Sequence, residues 1–124
     1  MPVWPLNPPS QLLRLSMLIT RLLQLTDTPA VSIEVRVFAP VQEDIDWSCT
    51  VAIDWPNGTW ERKVFGIDAI QSIELALRMI GTELYASDYH KTGRLMWLKP
   101  GGGYGFPVPK TIHNMLIGED RDFF

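Results

Sequence analysis

The stretch GIDAIQSIELALRMIGTELYASDYHKTGRLMW, from Gly66 to Trp97, decides the fold of this 124-residue chain. Asp68 is a favourable N-cap residue, and Gln71 three positions later completes a capping box, so a helix is predicted over about residues 68–86. A turn around Gly93 then leads into a short predicted strand, residues 94–98. The core face of the predicted helix consists of apolar residues at helical spacing: Ile70, Ile73, Leu77, Ile80 and Leu84, with Ala69 and Ala76 beside them.

The residues before this helix alternate between apolar and polar side chains, which is typical of strands. The clearest alternation is VSIEVRVF, and WSCTVAIDW repeats the pattern. Strands are predicted over residues 17–25, 31–38, 46–56 and 59–65. For the first of these a helix is the alternative, because several leucines between residues 11 and 25 also have helical spacing.

The pair Asn57-Gly58 is a strong signal for a two-residue hairpin turn, since both residues tolerate a positive φ. A loop made of these two residues places Trp55 opposite Trp60. The same register places Val51 opposite Val64.

Together these elements predict an α+β fold, with an antiparallel sheet of about four to five strands and one long helix packed on one face. A single domain is expected over residues 17–109. The Pro-rich residues 1–16 are expected to form an extended or disordered arm, because proline cannot join the interior of a helix or sheet. Residues 110–124 are expected to be a C-terminal tail.

The composition argues against several classes of function. A net charge of −3 gives no electrostatic basis for binding nucleic acid. The apolar run from Leu12 to Leu25 is interrupted by Arg14 and Arg21 and is too short for a membrane span. The leader MPVWPLNPPS lacks the basic start of a signal peptide, so a cytoplasmic protein is expected. The single cysteine, Cys49, fits a reducing compartment.

No motif predicts catalysis, a metal ion or a cofactor. The run GGGYG, residues 101–105, is followed by Phe106 and Pro107 and not by a helix, so it predicts a flexible turn and no phosphate loop. His90 and His113 are the only histidines, and their surroundings lack the spacing of zinc ligands. Cys49 is expected to face the core, where its thiol would be unreactive.

Two apolar residues, Leu75 and Met79, lie outside the core face of the predicted helix, where a lone domain would expose them. Trp55 and Trp60 are large aromatics of the kind that dominate protein interfaces. These four residues form the predicted interface, because exposed apolar patches mark partner surfaces. The first hypothesis is therefore a non-enzymatic protein-interaction or self-associating module, whose partner is a second copy in a homodimer or another protein.

A group of polar and aromatic residues near the C-terminal end of the helix supports an alternative. Its members are Tyr85, Asp88, Tyr89, His90 and Arg94, with Tyr104 from the glycine run. This alternative is a small-molecule-binding protein, or an enzyme of unrecognised type, with its site between the helix C-terminus and the Gly-rich loop. It requires a concave pocket at that place.

The segments FGIDAIQSIELALRMIGTELYAS, GRLMW and GFPVP resemble a family of small bacterial proteins described only as a domain of unknown function. RVFAP and the strand that holds Trp47 also fit, so the resemblance covers about Met17 to Pro109. It implies the same α+β fold and a strand at MLITRLLQL. It carries no activity, cofactor or catalytic residue to this chain.

Overall fold

The computed structural model describes residues 17–124, with side chains from Ile19 onward. The predicted Pro-rich arm, residues 1–16, lies outside the described residues. In chain order the elements are β1 Met17–Leu25, β2 Ser32–Phe38, β3 Val41–Gln42, β4 Trp47–Trp55, β5 Gly58–Gly66, α1 Ala69–Ala86, α2 Asp88–Lys91, β6 Leu95–Trp97, β7 Lys99–Pro100, a 3₁₀ helix Lys110–Met115 and α3 Gly118–Phe123.

The strands of the described chain form one antiparallel sheet. Its main order is β5-β4-β2-β1-β6-β7, and the short β3 pairs with the start of β4. α1 packs on β4 and β5. The predicted α+β fold, an antiparallel sheet with one long helix on one face, is confirmed. The two strands that the sequence did not predict, β3 and β7, have two residues each.

The first segment of the described chain is a strand, so the helical alternative for residues 17–25 is wrong. β1 pairs with β2, which places Ile19 opposite Val37 and Leu23 opposite Ile33. Leu23 and Ile33 are both fully buried. These cross-strand contacts outweigh the helical propensity of the leucines, because tertiary packing overrides weak local preference.

The hairpin between β4 and β5 forms, but the predicted register, Trp55 opposite Trp60, is wrong. The pairs on this face are Trp55–Gly58, Ile53–Trp60, Val51–Arg62 and Cys49–Val64. The predicted register would place Pro56 within the ladder, where a residue without an N–H cannot donate. Pro56 instead occupies the first turn position, for which its fixed φ is suited. Gly58, with a φ of 147°, then starts β5.

α1 begins as predicted, with the Asp68 carboxylate accepting a 2.8 Å hydrogen bond from the N–H of Gln71. Ile70, however, was predicted in the core face and is 71% exposed. Ser72 is buried instead, because Gly66 has no side chain and allows the backbone at Ser72 to approach β5 closely. Residues two apart in a helix point about 200° apart, so burying Ser72 turns Ile70 to solvent. The remaining residues of the predicted core face are buried or half-buried: Ile73, Leu77, Ile80, Leu84, Ala69 and Ala76.

The chain after β7 covers the part of the core that α1 leaves open. Its buried side chains belong to the same core cluster: Tyr104, Phe106, Val108 and Leu116. Gly81, in the middle of α1, allows the carbonyl of Pro107 to contact the helix. The domain boundary at Pro109 stays a prediction, although Leu116 and Asp120 are buried against residues that precede it.

Candidate functional site

The Gly-rich loop, residues 101–105, binds a carboxylate of the same chain. Gly101, Gly103 and Gly105 have φ values of 72°, 87° and 74°, which turn successive backbone N–H groups towards one point. The N–H groups of Tyr104 and Gly105 each donate a 2.7 Å hydrogen bond to Asp120, one to each carboxylate oxygen. The loop is therefore an anion-binding nest, occupied by Asp120 of α3.

Tyr85, from the last turn of α1, supplies a third donor to the same carboxylate. Its phenol donates a 2.6 Å hydrogen bond to Asp120 and accepts a 3.4 Å hydrogen bond from the N–H of Ile117. Tyr85 is fully buried, and Asp120 is 2% exposed. Burial, together with the hydrogen bond to Asp120, raises the pKa of Tyr85 well above its usual range, so the phenol remains a donor.

Arg21, from β1, holds the other side of the loop. Its Nη1 donates hydrogen bonds of 3.1 and 2.9 Å to the carbonyls of Tyr104 and Gly105. The guanidinium carbon lies 4.0 Å from the ring centre of Trp97 and 4.8 Å from that of Phe106. Burial lowers the pKa of Arg21, and the charge of Asp120 opposes this shift. The loop thus presents its N–H groups to an anion and its carbonyls to a cation.

His90 and Tyr104 close the remaining side of this site. The Nδ1 atom of His90 lies 2.5 Å from the Tyr104 phenol oxygen, and Tyr85 packs edge-on against the imidazole. Burial lowers the pKa of His90 and, with the charge of Asp120, raises the pKa of Tyr104. The imidazole and the phenol therefore share one hydrogen bond, and the tautomer of His90 decides which of the two donates it.

The predicted ligand residues fall into separate places. Tyr85, His90 and Tyr104 come together around Asp120. Tyr89 stacks on Trp55 with 5.1 Å between ring centres. Arg94 lies over Tyr89 and forms a 2.9 Å ion pair with Asp27. Asp88 is exposed at the start of α2. A ligand role for any of the six stays a prediction.

Sequence reasoning missed Asp120, Arg21 and Trp97. Asp120 lies in the acidic tail, which the sequence pattern indicates as solvated, and Arg21 is one of several arginines. The available signal was the glycine run, because successive free N–H groups need an anion. Gly103 confirms the fit, since a Cβ at this position would collide with the Asp120 carboxylate.

A groove of about 610 Å³ opens beside the loop. Its walls combine aromatic rings, three carboxylates and one guanidinium, from Arg21, Trp97, Gly102, Gly105, Glu119, Asp120, Asp122, Phe123 and Phe124. None of the six predicted ligand residues lines this groove. The concave surface near the Gly-rich loop is therefore formed by the loop, β1, β6 and α3.

A family model for a domain of unknown function, DUF6968, matches residues 19–108 of the chain. The chain belongs to the DUF6968 family. This confirms the predicted membership of an uncharacterised domain family, and a bacterial origin stays a prediction. No curated protein and no solved structure gives a significant match.

The four predicted interface residues of the DUF6968 domain differ in exposure. Leu75 and Met79 are 40% and 38% exposed on α1. Trp55 and Trp60 are half-buried: Trp55 stacks on Tyr89, and the guanidinium of Arg62 lies 5.1 Å from the ring centre of Trp60. Only the two helical residues are thus turned outward, and an interface role for all four stays a prediction.

β5 is an edge strand of the DUF6968 sheet. All nine of its residues, Gly58–Gly66, pair with β4 without a register shift. Within the part of the chain that the structure describes, no strand pairs with the other side of β5. Three consecutive charged residues, Glu61, Arg62 and Lys63, are exposed in the middle of this edge.

Leu75 and Met79 lie on the side of α1 that is nearer to β5. Ser72 packs over Gly66 of β5, and Leu75 and Met79 follow three and seven positions later, on the same side of the helix. Gly81 contacts Pro107 on the opposite side. The apolar flank of α1 and the open edge of β5 are therefore neighbours.

The described part of the DUF6968 domain holds no group of three or more His, Cys, Asp or Glu side chains that could bind a metal ion. The thiol of Cys49 is buried, and burial raises its pKa to about 11. A thiol in this state is a poor nucleophile at neutral pH. Residues 17–124 contain no helix with both the length and the hydropathy to cross a membrane.

Proposed function

We propose that this protein is a non-enzymatic interaction module that forms a homodimer through its β5 surface. The β5 surface is the open edge of Gly58–Gly66 together with Leu75 and Met79. The observation that carries the proposal is the nine-residue edge, which is paired only to β4 among the described residues. A long edge without bulge or proline is a template for pairing with another chain.

The charges on this edge favour a second copy as the partner. Glu61 and Lys63 point to the same face of the sheet, since they pair with Ala52 and Thr50. Antiparallel pairing of two β5 strands about Arg62 sets Glu61 of each copy opposite Lys63 of the other. Opposite charges directly across two strands stabilise the pair, whereas an unrelated strand gains no such match.

Arg62 lies on the symmetry axis of this arrangement, where two like charges would meet. In the single chain its guanidinium is held over Trp60, and its Nη1 donates a 2.8 Å hydrogen bond to the carbonyl of Glu61. These contacts engage each guanidinium within its own chain. Leu75 and Met79 then add apolar contact between the two helices beside the joined sheets.

Measurement of the mass in solution by light scattering tests the proposal. We expect the wild-type protein to have about twice the 14.1 kDa mass of one chain. The double substitution Leu75→Glu/Met79→Glu places four carboxylates in the apolar contact, and we expect it to weaken association by about a hundredfold, since buried unpaired charges are costly.

Leu22→Glu is the matched control. Leu22 is 56% exposed on β1, which is separated from β5 by β2 and β4. We expect this variant to remain a dimer. A wild-type protein that is monomeric at every concentration measured would contradict the proposal, and so would equal dissociation of the two variants.

The groove beside the Gly-rich loop supports a second candidate function, binding of a small molecule. Its volume of about 610 Å³ lies in the range of ligand pockets. Three carboxylates against one guanidinium favour a ligand that carries a positive charge. A thermal-shift screen of aromatic amines, with Trp97→Ala as the control variant, tests this candidate: stabilisation of both proteins alike would contradict it.

A further inference from the structure

The carboxylate of Asp120 is recognised as a ligand would be. Its two oxygens accept three hydrogen bonds of 2.6 to 2.7 Å, from the N–H groups of Tyr104 and Gly105 and from the Tyr85 phenol. Charge-assisted hydrogen bonds of this length are among the stronger ones in proteins. Both oxygens are therefore bound by donors that point to a single carboxylate position.

The three donors are held in place by contacts that do not involve Asp120. Arg21 binds the two loop carbonyls from behind, and His90 fixes the phenol of Tyr104. Tyr85 belongs to α1, whose position is set by the core. Because these supports do not involve residue 120, we expect the donors to keep their positions when the carboxylate is removed.

The donors and the carboxylate come from different parts of the chain. Tyr85, Tyr104 and Gly105 lie within residues 19–108, which match the family model, and Asp120 lies beyond them. The matched domain thus supplies a complete set of donors, and a later segment supplies the anion. Asp120 also borders the groove, so the buried place of its side chain adjoins this open space.

We propose that the Gly-rich loop is a carboxylate-binding site in its own right, and that Asp120 is its resident ligand. A free small carboxylate takes the same place when residue 120 carries none. The neighbouring carboxylates of Glu119 and Asp122 oppose an incoming anion, whereas Arg21 attracts it. The affinity for a small carboxylate is therefore modest, in the millimolar range.

Removal of the Asp120 side chain, followed by addition of the small carboxylate that matches the removed atoms, tests the site. Asp120→Gly removes the atoms of one acetate ion, and Asp120→Ala keeps the β-carbon and leaves room for formate. At about 100 mM salt we expect acetate to raise the Tm of the full-length Asp120→Gly protein by about 3 °C over chloride. We expect formate to exceed acetate in the Asp120→Ala protein.

Wild-type protein and Asp122→Gly are the controls, because their loop site is occupied by Asp120. We expect neither to distinguish acetate or formate from chloride. The proposal is overturned if the folded Asp120 variants respond alike to chloride, acetate and formate, or if the controls respond as strongly as the variants.

Loss of folding in chloride does not prevent the test. In that case the same salts are scored for recovery of secondary structure by circular dichroism. Recovery in acetate or formate, and not in chloride, supports the site, and failure to recover in every salt contradicts it. For either folded variant, the amide resonances of Tyr104 and Gly105 must shift with the carboxylate.

Discussion

At the scale of single residues, the Asp120 carboxylate accepts three hydrogen bonds in the candidate site. It is 2% exposed, and its three donors come from α1 and the Gly-rich loop. Asp120→Asn keeps the shape of the side chain, but its amide N–H₂ group then faces one of the hydrogen-bond donors that bind the carboxylate. We expect a loss of about 2 kcal/mol in the free energy of unfolding, because a buried donor is left unsatisfied.

Urea denaturation measures this loss, and Asp122→Asn is the matched control in the same helix. Asp122 is exposed, so its substitution is expected to change the free energy of unfolding by less than about 0.5 kcal/mol. Equal effects of the two substitutions would show that the carboxylate of Asp120 has no special role.

We expect His90 to give the stability a dependence on pH. Burial lowers its pKa in the folded protein, so the folded state prefers the neutral imidazole. Its contribution is fully present above the unfolded value of about 6.5 and is lost as the pH falls through the lower folded pKa. Wild-type protein is therefore expected to lose stability on acidification below about pH 6.5.

Comparison with His90→Gln isolates this contribution, since glutamine can still accept a hydrogen bond but does not titrate. We expect the free energy of unfolding of the variant to fall less steeply between about pH 7 and pH 5. Parallel slopes for the two proteins would exclude His90 as the source of the pH dependence.

At the scale of elements, signals between residues close in sequence predicted where a helix begins, but signals for strand pairing did not predict the hairpin register. Asp68 and Gln71 predicted the start of α1, because a cap is formed by residues close in sequence. The register of the β4–β5 hairpin depends on Pro56, whose missing N–H outweighs the turn preference of Asn57-Gly58. Ile70 is exposed because close packing at Gly66 sets the rotation of α1. The spacing of apolar residues along the helix does not reveal this rotation.

The edge of β5 permits a test of the proposed pairing by charge reversal. Glu61→Lys places like charges opposite each other twice in a symmetric dimer, and we expect the dissociation constant to rise about tenfold. Adding Lys63→Glu restores opposite charges and is expected to recover most of the affinity.

Sedimentation equilibrium measures both dissociation constants. Because Lys63 pairs with Glu43 at 2.9 Å within the chain, the folded state of the double variant is checked by circular dichroism. A double variant that is weaker than Glu61→Lys alone would contradict pairing about Arg62.

At the scale of the whole molecule, the fold was predictable from the sequence, but only some residues of the candidate site were. The alternation of VSIEVRVF and the helix after Gly66 are sufficient for an α+β sheet. Tyr85, His90 and Tyr104, three of the six predicted ligand residues, do lie together near one end of α1, and their ligand role stays a prediction. Arg21 and Asp120 join them from β1 and α3, and contacts across 83 or 16 residues leave no local pattern in the sequence.

Dimerisation through the β5 surface would couple stability to concentration. Binding that favours the folded state makes the Tm depend on the amount of partner. We expect the Tm of the wild-type protein to rise by about 2 °C for a tenfold increase in concentration, and that of Leu75→Glu/Met79→Glu to stay constant. Calorimetry at two concentrations measures both, and a constant wild-type Tm would contradict the dimer.

The bond between Arg21 and the Gly-rich loop also has a consequence for biosynthesis. Arg21 is in the first described strand, and its carbonyl acceptors at Tyr104 and Gly105 follow 83 and 84 residues later. During translation, β4, β5 and α1 emerge together and can pack at once, because their contacts are close in sequence. The cover that the loop gives β1 is complete only after the loop leaves the ribosome, so we expect this half of the sheet to be a chaperone-binding region of the nascent chain.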